Sequence, residues 1–175
     1  MANFITAQKY IQQNEGYYAN VSGDLGGETY SGIASSSYPN WVGFDFLSKQ
    51  PHPIKWNTHF PELDQFVLDF YKKNKWDNIL GDLIQDNKTG IYFYDFHVNS
   101  GRAVKIVQGV IGVIADGIFG NGSLSVLNSK NWLDEIHQAR LNYLNQIGVG
   151  SNEKFLEGWI NRANLMYNLT DEQAA

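Results

Sequence analysis

From Pro61 onward the chain is written almost entirely in helical period, and this leaves little room for any architecture that is not mostly helix. Leu63, Phe66, Val67, Phe70 and Tyr71 fall at the i, i+3, i+4, i+7, i+8 spacing of one buried helix face. The same spacing predicts helices over about 88–99 (Ile91, Tyr92, Asp95, Val98) and about 102–111 (Ala103, Ile106, Val107, Val110). It predicts a short helix at about 123–128 and longer ones over 132–147 (Leu133, Ile136, Arg140, Tyr143, Leu144, Ile147) and 152–168 (Phe155, Leu156, Trp159, Ala163, Met166). The glycine-rich stretch 115–123 is a connection, and the tail TDEQAA is expected to fray.

The first 60 residues differ. An amphipathic helix is predicted over 3–15, with Phe4, Ala7 and Ile11 on one face. Residues 16–60 are rich in Gly, Ser, Asn, Pro and aromatics and show little period. Short strands are predicted at 17–21 and 28–34 around the turn-like SGDLGG, followed by an irregular aromatic loop over 38–60 with short helical turns. No linker divides the 175 residues, so the expectation is one domain, α+β in class and mainly α, with a small β-hairpin region after the first helix.

Composition narrows the function classes. Hydrophobic residues make up 43% of the chain, enough for a real core. The net charge is −5, which argues against a nucleic-acid partner. With no cysteine there is no disulfide, thiolate metal site or cysteine nucleophile. His52, His59, His97 and His137 lack metal-ligand spacing, so no metal and no organic cofactor is expected. Gly117, Gly120 and Gly122 do not form a phosphate loop, since no lysine follows them. No stretch approaches the roughly 20 apolar residues of a membrane span, and the N-terminus lacks the basic and apolar regions of a signal peptide. Synthesis in the cytoplasm is the expectation.

The feature that points to chemistry is Glu15. It occupies the next position of the apolar stripe on the first helix, and Gly16 stops the helix immediately after it. Burial and the partial negative charge of a helix C-terminus both disfavour a carboxylate, which suits a group that must hold a proton for general acid catalysis. Asp24 and Thr29 follow in the loop and hairpin, close enough in sequence to fold back toward it. A protonated acid, an ionised carboxylate and a hydroxyl able to hold water form a recognisable set, since inverting glycoside hydrolysis requires two carboxyl groups with space for a water between them. Taken singly, Glu15 also fits a surface helix end, Asp24 a turn and Thr29 an ordinary strand residue. Tyr17, Tyr18, Tyr30, Trp41 and Trp56 are candidates for stacking on sugar faces, with core packing as the alternative for each. Asn99 is a candidate hydrogen-bonding group for a substrate, with a helix cap as its alternative, and Asp95 is expected to be buried one turn before it.

NEGYYANVSGDLGGETYSGIAS (14–35) resembles the opening of the glycoside hydrolase family 108 muramidases, approximately E-G-G-Y, D, P-G-G-E-T and K-G-I. Its spacing is also similar to that of phage-type lysozymes. YKKNKWDNILGDLI (71–84) resembles the family's tyrosine–tryptophan–aspartate segment. YFYDFHVNSGRAVKIVQGVIGVIADGIFGNGSLSVLN (92–128) resembles its D-F-x-V-N-S-G helix and peptidoglycan-binding-like part. The departures are Tyr17 for the family's second glycine and Ser31 for its lysine.

The resemblance implies a lysozyme-like fold over 1–175, with a catalytic part at about 1–95 and a helical peptidoglycan-binding-like part at about 96–170. It implies Glu15 as the catalytic acid of an endolysin-like N-acetylmuramidase that cleaves peptidoglycan glycan strands. Asp24 would stabilise the cationic centre or activate water, and Thr29 would position that water. The protein would act on the bacterial cell wall as a monomer, reached through an export or holin system. A lytic transglycosylase and a non-catalytic wall-binding or secretion accessory protein are the alternatives.

Overall fold

The computed structural model describes residues 1–20 and 27–174, and of residues 13–15 it describes the backbone alone. The chain divides into two compact units, one of residues 8–71 and one of residues 1–7 with 72–175. Helix α1 (Phe4–Glu15) contributes residues to both.

In the unit of residues 8–71, α1 ends where the sequence predicts, because Gly16 takes a left-handed φ of 63°. Three short strands follow: β1 (Tyr18–Ala19), β2 (Thr29–Tyr30) and β3 (Ile33–Ala34). They form an antiparallel sheet in the order β1-β2-β3, with Tyr18 opposite Tyr30, Ala19 opposite Thr29, and Tyr30 opposite Ile33. The strand predicted over 28–34 is therefore two strands. Ser31 and Gly32 both have left-handed φ, 47° and 77°, and make the two-residue turn that right-twisted hairpins favour. A serine is held there from both sides: its N–H donates to Tyr17 O at 3.0 Å and its carbonyl accepts from Tyr71 Oη at 2.8 Å.

Helix α2 (Val42–Ser48) lies inside the segment predicted as an irregular loop with short helical turns. The Trp41 ring folds over its first turn, where a Cβ on Gly43 would come within 2.0 Å of the indole, so only glycine fits. Helix α3 (Asp64–Tyr71) is preceded by a 3₁₀ turn at Pro61–Leu63 and buries Leu63, Val67, Phe70 and Tyr71. Phe66, placed on the same stripe by its spacing, is 45% exposed.

The second unit begins with irregular helix. Lys72–Trp76 winds as a π-helix, then 3₁₀ turns cover Asp77–Ile79 and Gly81–Leu83, with Leu80 left-handed between them. Trp76 anchors this stretch: its ring packs on Phe4 and Tyr94 and over Gly81, while Nε1 donates to Asp82 Oδ1 at 2.8 Å. Helix α4 (Asn87–Asn99) starts where Asp86 accepts the Thr89 N–H at 2.7 Å, an N-cap bond. Every residue from 89 to 96 is buried, so α4 is the central helix of the unit. The helices that follow are α5 (Ala103–Val110), α6 (Asn121–Leu127), α7 (Leu133–Ile147), α8 (Glu153–Tyr167) and α9 (Asp171–Ala174). Of these, α5, α7, α8 and α9 pack directly on α4.

Two local results refine the sequence expectations. The 115–123 connection is organised by buried Gln108, whose Nε2 donates to Asp116 Oδ1 and Ile118 O while its Oε1 accepts from Gly117 N. Residues 171–174 of the tail form a capped helix, α9. Thr170 N–H donates to Gln173 Oε1, Gln173 N–H donates to Thr170 Oγ1, and α9 buries Ala174 completely. No helix among the described residues is long and apolar enough to cross a membrane.

Candidate active site

Glu15 is the last residue of α1, and the chain leaves it through Gly16 directly toward β1. A Cβ at Gly16 would meet Asn57 Oδ1 at 3.2 Å on a backbone already at φ 63°, so glycine is required on two counts. The same Asn57 oxygen accepts from Tyr17 N at 2.9 Å, and Asn57 N donates to Tyr18 O at 2.7 Å. The segment around residue 57 is thus clamped to the two residues that follow the helix end. That fixes the backbone on the far side of Glu15.

Thr29 is half-buried on β2, opposite Ala19. Its hydroxyl donates to Ala19 O at 3.3 Å, which leaves the oxygen's lone pairs available to a water. Asp24 lies outside the described residues, as does the side chain of Glu15. Glu28, which sequence reasoning passed over, is half-buried beside Thr29 and accepts the Tyr18 hydroxyl at 3.0 Å. Its position in GGET was the available signal. The pKa of Tyr18 is raised, chiefly by burial.

The aromatic candidates separate. The Tyr17 ring stacks on His59 at 4.2 Å and is 36% exposed; His59 in turn bonds Asp64 at 2.7 Å. Trp56, 77% exposed, directly precedes Asn57 in the chain. Trp41 is half-buried and stacks on Tyr30 at 6.1 Å. Tyr30 has no exposed surface, and its hydroxyl donates to Phe60 O at 3.2 Å while accepting from Phe60 N at 2.8 Å. The expectation that Tyr30 binds sugar is corrected: it is a packing residue, and burial raises its pKa.

Asn99, in the other unit, is exposed at the end of α4, and its Nδ2 donates to Asp95 O at 2.7 Å. Asp95 is fully buried, as expected, and bonds two arginines that the sequence did not single out: Arg140 on α7 at 2.7 Å and Arg162 on α8 at 2.9 Å. The signal was present, since Arg140 sits on the apolar stripe of its helix, where an unpaired cation would be prohibitive. Among the described residues no group of three or more metal-ligating side chains comes together.

A small sheet set at the end of an acid-terminated helix, in a chain otherwise built of helices, is the lysozyme-like class of α+β fold. The solved structure of Brucella abortus SagA shares it, with a TM-score of 0.72 and 27% identity over 94% of this chain and 91% of that one. The chain belongs to the family described as glycosyl hydrolase 108, whose model matches residues 8–101; a model described as a predicted peptidoglycan domain matches residues 102–164. No curated protein matches the chain. The protein is a glycoside hydrolase acting on peptidoglycan.

Proposed function

We propose that the protein is an N-acetylmuramidase and that Glu15 is its proton donor. The observation that carries this reading is the position of Glu15 at the C-terminal end of α1, where Gly16 turns the chain straight into the sheet that bears Thr29. Glu15 protonates the glycosidic oxygen as the bond after N-acetylmuramic acid breaks. Asp24 stabilises the oxocarbenium-like centre or activates water, and the Thr29 hydroxyl holds that water. No cofactor enters the scheme.

The residues clamped around Asn57 support a substrate cleft beside the helix end, with Tyr17 and Trp56 offering ring faces to the glycan. The part matched as a peptidoglycan domain supplies wall affinity to the same chain. The protein works as a monomer on the cell wall, delivered by an export or holin system.

The test is clearance of a purified peptidoglycan suspension, with mass spectrometry of the soluble products. A reducing N-acetylmuramic acid end is the expected product. A 1,6-anhydro end would make the enzyme a lytic transglycosylase. Binding to the insoluble wall with no soluble product would make it an accessory protein.

A further inference from the structure

The helical unit of residues 1–7 and 72–175 contains a cavity of about 130 Å³ that the proposed hydrolysis does not use. Asn99 and Ser100 from the end of α4, Arg140 and Tyr143 from α7, and Trp159 and Arg162 from α8 line it. Two guanidinium groups and no carboxylate are among its lining side chains.

Arg140 is the unusual member. Its side chain is 3% exposed, and Nη2 donates to the Asp95 carboxylate at 2.7 Å. Among the described residues, Nε and Nη1 are buried with no hydrogen-bond partner within bonding geometry. The rings of Tyr92 and Phe96 face the guanidinium at 5.1 and 5.0 Å, which offsets part of the charge. Unpartnered donors on a buried cation are rare in native proteins and call for a reason. A polar rim completes the cavity. Ser100 Oγ donates to Tyr143 Oη at 3.3 Å, so the phenol keeps its own proton to give. Arg162, already bonded to Asp95, is 19% exposed and presents the accessible edge of the charge.

We propose that this cavity binds a small carboxylate, and that the ligand is the free C-terminal carboxylate of a peptide arm of peptidoglycan. The assignment rests on the reading that the chain acts on peptidoglycan. Guanidinium groups favour carboxylates through planar, charge-assisted hydrogen bonds. A cavity of this size takes about six heavy atoms, close to the benzene that fills a comparable void, and a C-terminal alanine has that bulk. The Trp159 ring supplies an apolar wall for its methyl group. Such a site would let the enzyme hold the peptide arms as well as the glycan.

The test is calorimetric binding of a short peptide ending in D-alanyl-D-alanine, compared with the same peptide carrying a C-terminal amide. The wild-type protein should bind the acid roughly tenfold or more tightly than the amide, the effect of a charge-assisted bond. Arg162→Gln and Asn99→Asp should each bring that ratio close to one. Asn99→Asp changes an exposed side chain, so the test survives if Arg162→Gln does not fold. Equal affinity for acid and amide, binding of neither, or preference for inorganic phosphate over the peptide acid would overturn the assignment. Reducing-end release from purified peptidoglycan is measured in parallel. Hydrolysis without an acid preference removes this proposal alone, whereas an acid preference without hydrolysis removes the hydrolase reading and leaves the cavity assigned.

Discussion

Arg140 Nη2 lies 2.7 Å from Asp95 Oδ2 with the two side chains 3% and 0% exposed, and this pair ties α7 to the central helix α4. Removing one member of a buried ion pair leaves the other charge without compensation. Asp95→Ala should therefore cost about 3–5 kcal/mol of folding stability. Urea unfolding of the variant against the wild type checks this. A loss below 1 kcal/mol would mean that solvent already compensates the charges of Arg140 and Arg162, which share Asp95.

Gly16 is required by both its φ of 63° and the 3.2 Å approach to Asn57. Gly16→Ala should destabilise by about 1–2 kcal/mol, the cost of an L-residue in that conformation. It should also depress hydrolysis among molecules that remain folded, because the strain falls on the residue next to Glu15. Thermal unfolding and reducing-end release, measured together, separate the two effects.

His97 gives the fold a pH dependence. Burial, with a smaller contribution from the nearby Lys75 ammonium, lowers its pKa from 6.5 to about 4. Both ring nitrogens are buried without a partner. Above pH 6.5 the imidazole is neutral in the folded and unfolded chains and adds no pH dependence. Between pH 6.5 and about 4 the unfolded chain takes up a proton that the folded chain refuses, so stability falls as pH drops. The loss should reach about 1–3 kcal/mol by pH 4. His97→Leu should flatten that part of the stability profile. An unchanged slope in the variant would remove His97 as its source.

Two tryptophans that look equivalent in the sequence should behave in opposite ways. Trp56 is 77% exposed, so Trp56→Ala should shift stability by no more than about 0.5 kcal/mol while weakening binding to peptidoglycan. Trp41 packs on Tyr30, Phe44 and Gly43, so Trp41→Ala should lower the melting temperature clearly. Pull-down on insoluble peptidoglycan beside thermal unfolding distinguishes them, and a binding loss confined to Trp41→Ala would reverse the roles.

These contrasts mark what the sequence can and cannot reveal. Helical period located α4, α5, α7 and α8 within a residue or two, although of the stripe read on α8 only Ala163 and Met166 are buried and Phe155 is 48% exposed. The end of α1 was legible because glycine stops a helix locally. The Ser31–Gly32 turn was missed because a serine at positive φ is held by Tyr17 and Tyr71, one of them 40 residues away. Helix α2 was legible only as short helical turns somewhere in 38–60, because its anchoring contact is a tryptophan ring laid over a glycine, which carries no periodic signature. The expected sugar-binding role of Tyr30 failed for a related reason: an aromatic residue in a polar stretch has the same sequence signature whether it faces solvent or Phe60. Asp95 was expected to be buried, yet its partners lie 45 and 67 positions away, and no spacing rule connects them.

The central claim is that Glu15 delivers the proton. Glu15→Gln keeps the shape of the side chain and removes the transferable proton, and the direct measurement is the rate of reducing-end release from purified peptidoglycan by the folded variant. The account predicts a rate lower by about 10²–10⁴-fold, the usual contribution of a general acid, with the melting temperature retained. Release at the wild-type rate by Glu15→Gln would contradict it.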